Sequence, residues 1–513
     1  MKKVILALLF FLSVQAVQAQ EGKRVLDLKE VIELALKNSR RAKQNETSLQ
    51  FGYWRYRVYQ ANFNPSLNLD GVFPNRTNSV ERITLPSGAI RFTGIDQLDS
   101  DLGLGLVQSL PWTNTTVSLR TSLSRNENFL LPDSVESVSY SGVPLSIRVS
   151  QPLFAVNPFK WDKKIQPLEY DQNKREFAQT QEQIAVEATR FFFSLLESQI
   201  DLQIAQQNLK TNNEVYRIEE GRYNIGTTTE DQLLQTEINL LNSRRDAQQA
   251  ELDVQTRSLD LRSYIGLTDD VEIELLLPEE IPDMIINGDD ALRYAQENRS
   301  DYLDYQIRRL NAERGIAEAK AQRFDASITA IFGLNDNGNS ISDIYDEPNN
   351  QSIFRLQFNL PILDGGRNRA RMGQARASKA LTEFQVEQDR IAFEQSVQTA
   401  VRNFDQIKGA IEISKKRDVI AQKRFEISNN RYLIGKIDIL QYTNALNDKD
   451  AAKQGYISAL RQYWNAYYEM RNLTLYDFEI RARLFNPLLE FDPKQGIIER
   501  TETEKKKKKK DDQ

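Results

Sequence analysis

The stretch Arg222-Tyr223-Asn224-Ile225-Gly226, continued by Thr229 and Gln232, returns 209 residues later as Arg431-Tyr432-Leu433-Ile434-Gly435, continued by Asp438 and Gln441. A long polar-apolar helical pattern runs into each glycine, and glycine adopts the left-handed conformation that ends a helix at little cost. Thr229 and Asp438 then stand as N-caps, with Gln232 and Gln441 three residues on in capping-box position. Each copy predicts a tight helix-turn-helix tip, and the duplication extends far beyond the tips.

Working outward, the helices that lead into the tips show an apolar period of about 3.5, the mark of helices that pack side by side as coiled coils. In the first half Phe177, Ile184, Ala188, Phe191, Leu195, Leu202 and Leu209 keep this spacing, and in the second Val386, Phe393, Val397, Ala400, Phe404, Ile407 and Ile411 do. From Lys160 to Gly226 the helix reaches about 100 Å at 1.5 Å per residue, too long for one compact globular domain. Return helices are expected over Thr229 to Ile265 and Asp438 to Leu473.

Ahead of these helices the period changes to two, which predicts strands. Phe354, Leu356, Phe358 and Leu360 alternate with Arg355, Gln357 and Asn359, and Leu145, Ile147 and Val149 alternate with Ser146, Arg148 and Ser150. The 209-residue shift superposes these strands and carries Pro152 onto Pro361, which marks both prolines as strand-to-helix junctions. An earlier strand is expected at Ser66 to Phe73, with its counterpart at Ala326 to Phe332. Here the shift is about 260, so the first half holds about 51 extra residues between its two strands. They read as a further hairpin, Leu102 to Ser124, turning at Pro111 to Thr115. Its pattern leaves open whether it joins the same wall. Alternation of this kind suits strands with lipid on one face and water on the other, although a half-buried strand of a soluble sandwich alternates in the same way.

The rest of the chain bounds the function. Lys2-Lys3, an apolar run from Val4 to Val14 and Val17-Gln18-Ala19 predict a secretory signal peptide cut after Ala19. Beyond it no apolar run is long enough for a transmembrane helix, so a membrane location requires a β-barrel. There is no cysteine and no histidine among the 513 residues, which removes thiol chemistry, the commonest general base and the commonest transition-metal ligand. The net charge of −5 argues against a nucleic-acid partner. No cofactor and no metal site is expected. The domain reading is a signal peptide (1–19), a first repeat (20–267, strands about 66–151, hairpin 160–267), a linker (268–287) and a second repeat (288–476, strands about 326–360, hairpin 367–476). A C-terminal segment (477–500) and a Lys-rich tail with Lys505 to Lys510 (501–513) follow.

Taken together, the signal peptide, the two halves built as helix, strand, strand, long helix, tip and return helix, and the paired Arg-Tyr-x-Ile-Gly tips resemble the TolC-like outer-membrane efflux proteins. The resemblance spans about Val25 to Leu489. It implies an α+β membrane protein: a homotrimer whose strands close one shared transmembrane β-barrel in the outer-membrane lipid, with a hollow α-barrel of antiparallel coiled-coil helices in the periplasm. It also implies partners, a periplasmic adaptor protein and an inner-membrane transporter. The adaptor-docking tips would be Tyr223, Ile225, Gly226 and Thr227, and Tyr432, Ile434, Gly435 and Lys436. Relatives narrow the tunnel near the tips with aspartate rings and a polar latch. The ring positions correspond to Gln441 and Asn444, and the latch positions to Tyr432, Ile437, Asp231 and Gln232. The tyrosine is kept, but the family's basic residue is not. Asp438 and Lys436 would supply an acidic ring and a cation instead, giving a hydrogen-bonded constriction with weaker cation block.

The function implied is a passive exit duct for small molecules, working by conduction and not by chemistry. Type I protein secretion is the alternative within this class. A secreted coiled-coil adhesin or structural protein is the alternative outside it. Acidic pairs such as Glu219-Glu220 and Asp289-Asp290 do not make an enzyme, because adjacent residues on a helix point in different directions.

Overall fold

A computed structural model describes residues 23–131, 136–267 and 272–499. The expected signal peptide and the Lys-rich tail lie outside the described residues. In chain order the first repeat runs β1 (Arg24–Leu26), α1 (Leu28–Asn38), α2 (Arg40–Ala61), β2 (Ser66–Thr84), β3 (Ile90–Leu110), β4 (Thr115–Asn128), β5 (Val138–Pro152), α3 (Pro158–Asn224) and α4 (Glu230–Ile265). After β6 (Ile273–Leu275) the second runs α5 (Gly288–Asn298), α6 (Asp301–Ala321), β7 (Asp325–Gly338), α7 (Ile341–Asp346), β8 (Asn349–Asn359), α8 (Arg367–Leu433) and α9 (Ile439–Thr474). Short strands β9 (Tyr476–Asp477), β10 (Ala482–Arg483), β11 (Leu489–Asp492) and β12 (Gly496–Glu499) follow.

The duplication is kept to the residue. Both α3 and α8 have 67 residues, and both α4 and α9 have 36. Their four pairs of ends all differ by 209 positions.

The chain divides into two compact units. The first comprises the described parts of Met1–Gln50, Asn173–Tyr302 and Ile391–Gln513. Its core forms where the heptad positions are best filled: Ile184, Ala188, Leu195, Val397 and Phe404 are buried. Leu202 and Leu209, further along α3, are half-buried. The interval expected as a linker is built into this unit, since β6 pairs in parallel with β1 and Met284 and Ile286 are buried in the core. A buried ion network also belongs here. Arg471 donates to both carboxylate oxygens of Glu182, at 2.9 and 3.1 Å, and to Asp477 at 2.9 Å.

The second unit, Phe51–Gln172 and Leu303–Arg390, holds a six-stranded antiparallel sheet in the order β2-β3-β4-β5-β7-β8. The extra hairpin, left open by its sequence pattern, is therefore part of the same wall. The strands also run longer than their alternation suggested, β2 reaching Thr84 and β7 reaching Gly338. Register sets the faces. Leu67, Leu106, Leu119, Ile147 and Phe332 make one row across five strands. The next row along, with side chains on the opposite face, is Asn68, Gly105, Arg120, Ser146, Gly333 and Gln351.

Leu67, Leu104, Ile147, Phe332, Phe354 and Phe358 on the apolar face are all exposed. On the polar face Arg120 reaches across β3 to grip Asp70 on β2, at 3.0 and 2.6 Å. Gly103 lies under the guanidinium, where a side chain would collide with it. Among the described residues no helix is long and apolar enough to cross a membrane.

Candidate functional site: the two helical tips

Both tips end as their sequence predicts. Gly226 and Gly435 have φ of +75° and +71°. In each, the glycine N–H donates to the tyrosine carbonyl three residues back, and the next N–H to the arginine carbonyl, all at 2.9 Å. These bonds satisfy the last carbonyls of α3 and α8. Thr229 and Asp438 then cap α4 and α9, accepting from the backbone of Gln232 at 3.3 Å and of Gln441 at 2.8 Å. The reciprocal half of the expected capping boxes is not made. The Gln232 carboxamide instead accepts from the Thr228 hydroxyl.

Where the two tips meet, the duplication breaks. Tyr223 is exposed, but Tyr432 is only 1% exposed. Its hydroxyl donates to Oε1 of Glu219 at 2.6 Å, and its ring lies 4.9 Å from that of Tyr442. Arg222 completes the junction, donating to Glu219 at 2.7 Å and to the carbonyls of Tyr432 and Leu433 at 2.9 and 3.2 Å. Its guanidinium also sits over the Tyr432 ring. The arginine of the first tip thus caps the helix end of the second. The second tip lacks the matching carboxylate, since Ser428 stands where Glu219 would be repeated.

Burial, then the hydrogen bond and charge of Glu219, push the Tyr432 phenol well above its ordinary range. Burial and the charges of Glu214 and Asp450 push Tyr442 up to about 12. Both phenols therefore stay neutral at any physiological pH; the Tyr432 hydroxyl donates to Glu219, whereas the buried Tyr442 hydroxyl finds no hydrogen-bond partner among the described residues. Oε2 of Glu219 is buried and finds no hydrogen-bond partner among the described residues.

The remaining expected site residues fall in two groups. Ile225, Gly226, Thr227, Ile434, Gly435 and Lys436 are exposed at the turns, available to a partner. Tyr432 corrects the docking expectation: its side chain is inside the junction, not on the surface. Gln232, Asp438 and Gln441 line a cleft of ≈570 Å³ between the tips, with Glu219, Arg222 and Lys436. Asn444 and Gln441 line the neighbouring cleft beside Ile427, and Asp231 is exposed on the first turn of α4. One oxygen of Asp438 is committed to the Gln441 amide. Away from the tips, Pro152 closes β5 and Pro361 follows β8. Sequence reasoning missed Glu219 and Arg222 as the tip junction. The available signal was the mismatch of Glu219 with Ser428 beside an otherwise repeated motif.

A six-stranded sheet with one uncovered apolar face and two open edges, joined to paired coiled-coil hairpins, defines an outer-membrane channel protein. The sequence matches the family described as outer membrane efflux protein over residues 93–267 and 291–474. The chain belongs to that family, and it is an outer-membrane efflux duct whose helical part lies in the periplasm. This decides between a duct and an adhesin.

No curated protein matches the sequence. Among solved structures, the Campylobacter jejuni CmeC outer membrane channel is similar with a TM-score of 0.62 at 14% identity, over 89% of this chain and 87% of that one. The outer membrane protein VceC of Vibrio cholerae has a TM-score of 0.59 at 14% identity, covering 87% and 95%. The Neisseria gonorrhoeae MtrE outer membrane channel, in its open state, has 0.58 at 16%, covering 87% and 88%. At these identities the likeness is one of fold.

Proposed function

We propose that three copies of this chain close one barrel and one helical tunnel, forming the exit duct of a tripartite pump that conducts small molecules outward. A periplasmic adaptor would meet the exposed turn residues Tyr223, Ile225, Gly226 and Thr227, and Ile434, Gly435 and Lys436, and an inner-membrane transporter would supply the cargo. The observation that carries packing of one copy against the next is the pair of uncovered seams at the margins of the helical unit; the number three is what the family resemblance implies. Bonds such as Asn212 to Ser243 join α4 to α3, Asn208 to Asp450 joins α3 to α9, and the Tyr432 and Tyr442 rings join α9 to α8.

The outer helices of that series, α4 and α8, carry exposed apolar stripes. Ile413, Ile420 and Ile427 recur on α8 at heptad spacing, and Leu234, Ile238, Leu241, Leu252 and Leu259 follow on α4. Packing α8 of one copy on α4 of the next covers both stripes, at about 1.5–3 kcal/mol for each side chain buried. The open edges β2 and β8 call for the same neighbour, because unpaired strand edges are not tolerated in lipid.

In this assembly Asp231, Gln232, Asp438, Gln441 and Asn444 form the periplasmic gate. Fractionating expressing cells and sizing the detergent-extracted protein tests the reading. An outer-membrane trimer is expected, and a salt-released monomer would overturn it.

A further inference from the structure

We propose that Arg148 and Arg355 form an anion-attracting band on the inner wall of the barrel, so that the solutes favoured there carry carboxylate or phosphate groups. The proposal rests on the duct reading, which makes the polar face of the sheet the lumen. Register places both arginines on that face. Arg148 shares a row with Ser118, and Arg355 shares one with Thr329, Ser150 and Thr116. The two guanidinium groups thus stand on β5 and β8, separated by β7; hydroxyl side chains fill the Arg355 row, whereas Arg148 is flanked by Ser118 on β4 and by Ile331 on β7. Both side chains are exposed, and among the described residues neither makes an ion pair.

The carboxylates of the same face are elsewhere. Asp70 is occupied by Arg120. Asp99 and Asp101 lie further along β3, beyond Gly103. Asp325 lies at the end of β7, paired in register with Asn359, four residues from Thr329. The junction end of the inner wall therefore carries the two arginines together with Asp325, with Asp99 and Asp101 farther out. Three copies would place six arginines around one lumen. An arginine fork beside hydroxyls, as Arg355 is placed, is an arrangement that suits carboxylate and phosphate oxygens.

The absence of native cysteine permits a direct test in the full-length protein. Ser150→Cys puts a thiol in the Arg355 row, two residues along β5 from Arg148, and Ile147→Cys puts one on the apolar face. Each is treated, in detergent-extracted and reconstituted protein, with a sulfonate-bearing and a trimethylammonium-bearing methanethiosulfonate. At Ser150→Cys both reagents should react, with the anionic one favoured by about threefold or more over its ratio on a small thiol in solution. Combining Arg148→Gln with Arg355→Gln should abolish that preference, whereas Lys at both positions should keep it. Should the double variant fail to assemble, Arg355→Gln alone, on the edge strand, should lower the ratio. A reactive Ser150→Cys whose ratio ignores these substitutions would overturn the band and leave the duct intact. An unreactive Ser150→Cys beside a reactive Ile147→Cys would invert the faces and overturn both readings.

Discussion

The hydroxyl of Tyr432 donates to Glu219 across a sequence separation of 213 residues, closing one helical tip onto the other at 2.6 Å. A hydrogen bond to a carboxylate that is only 3% exposed contributes about 1.5–3 kcal/mol. Tyr432→Phe should therefore loosen the junction without changing the helix stop at Gly435. Faster amide hydrogen exchange at Val215 to Arg222 and at Phe425 to Leu433 is expected, together with larger single-channel conductance. Unchanged exchange in both segments would remove Tyr432 from the gate.

Alkaline pH should open the same junction. Both phenols have folded values raised above the unfolded one, so their contribution is fully present below pH ~10 and is lost as pH rises through the folded values. For Tyr442 that window runs from about 10 to about 12. Circular dichroism and tyrosinate absorbance should show helix loss tracking phenol ionisation, and Tyr442→Phe should shift the onset. Helix loss with no change in that variant would rule out this linkage.

Gly226 and Gly435 stop helices and also present open backbone to a partner, and substitution separates the two roles. No atom comes within 4 Å of a side chain built at either glycine, so only the backbone conformation resists substitution. Alanine at either tip should cost about 1–2 kcal/mol, while asparagine, which tolerates the left-handed region, should cost less. If Gly435→Asn restores stability but still blocks efflux in cells, the exposed backbone is needed for docking. Recovery of efflux along with stability would reduce the glycine to a helix stop.

The stripe on α8 should govern assembly. Ile420→Asp together with Ile427→Asp puts two carboxylates into the proposed seam while leaving the chain's own core untouched. The trimer should fall apart to monomers in size analysis, with helix content kept. A stable trimer carrying both substitutions would move the interface elsewhere.

Arg471 and Glu182 should behave as a buried pair. Burial raises the Glu182 carboxyl despite the attraction of Arg471. Glu182→Ala should destabilise the helical unit by about 3–5 kcal/mol, because it strands a buried guanidinium with only Asp477 left. A chemical denaturation midpoint close to that of the native protein would contradict this.

How much was legible in advance varied with the range of the interaction. The helix stops at Gly226 and Gly435, the caps at Thr229 and Asp438, and the equal lengths of the paired hairpins follow from local backbone preferences and apolar period, both written into neighbouring residues. Strand existence was legible for the same reason, but strand length was not. Cross-strand pairing extends β2 to Thr84 through residues whose own alternation is broken, with a register shift between Val72 and Asn75.

The sequence by itself determined the duplication, the amphipathic helices, the alternating strands and the lack of thiol or imidazole chemistry. Only the tertiary structure decided that the extra hairpin belongs to the sheet, because alternation is identical for a strand in the wall and one outside it. It also decided that Tyr432 is buried while Tyr223 is exposed, although both sit in the same motif. The difference is made by Glu219 and Arg222, and a partner brought in from some 210 positions away leaves no periodic trace in the chain.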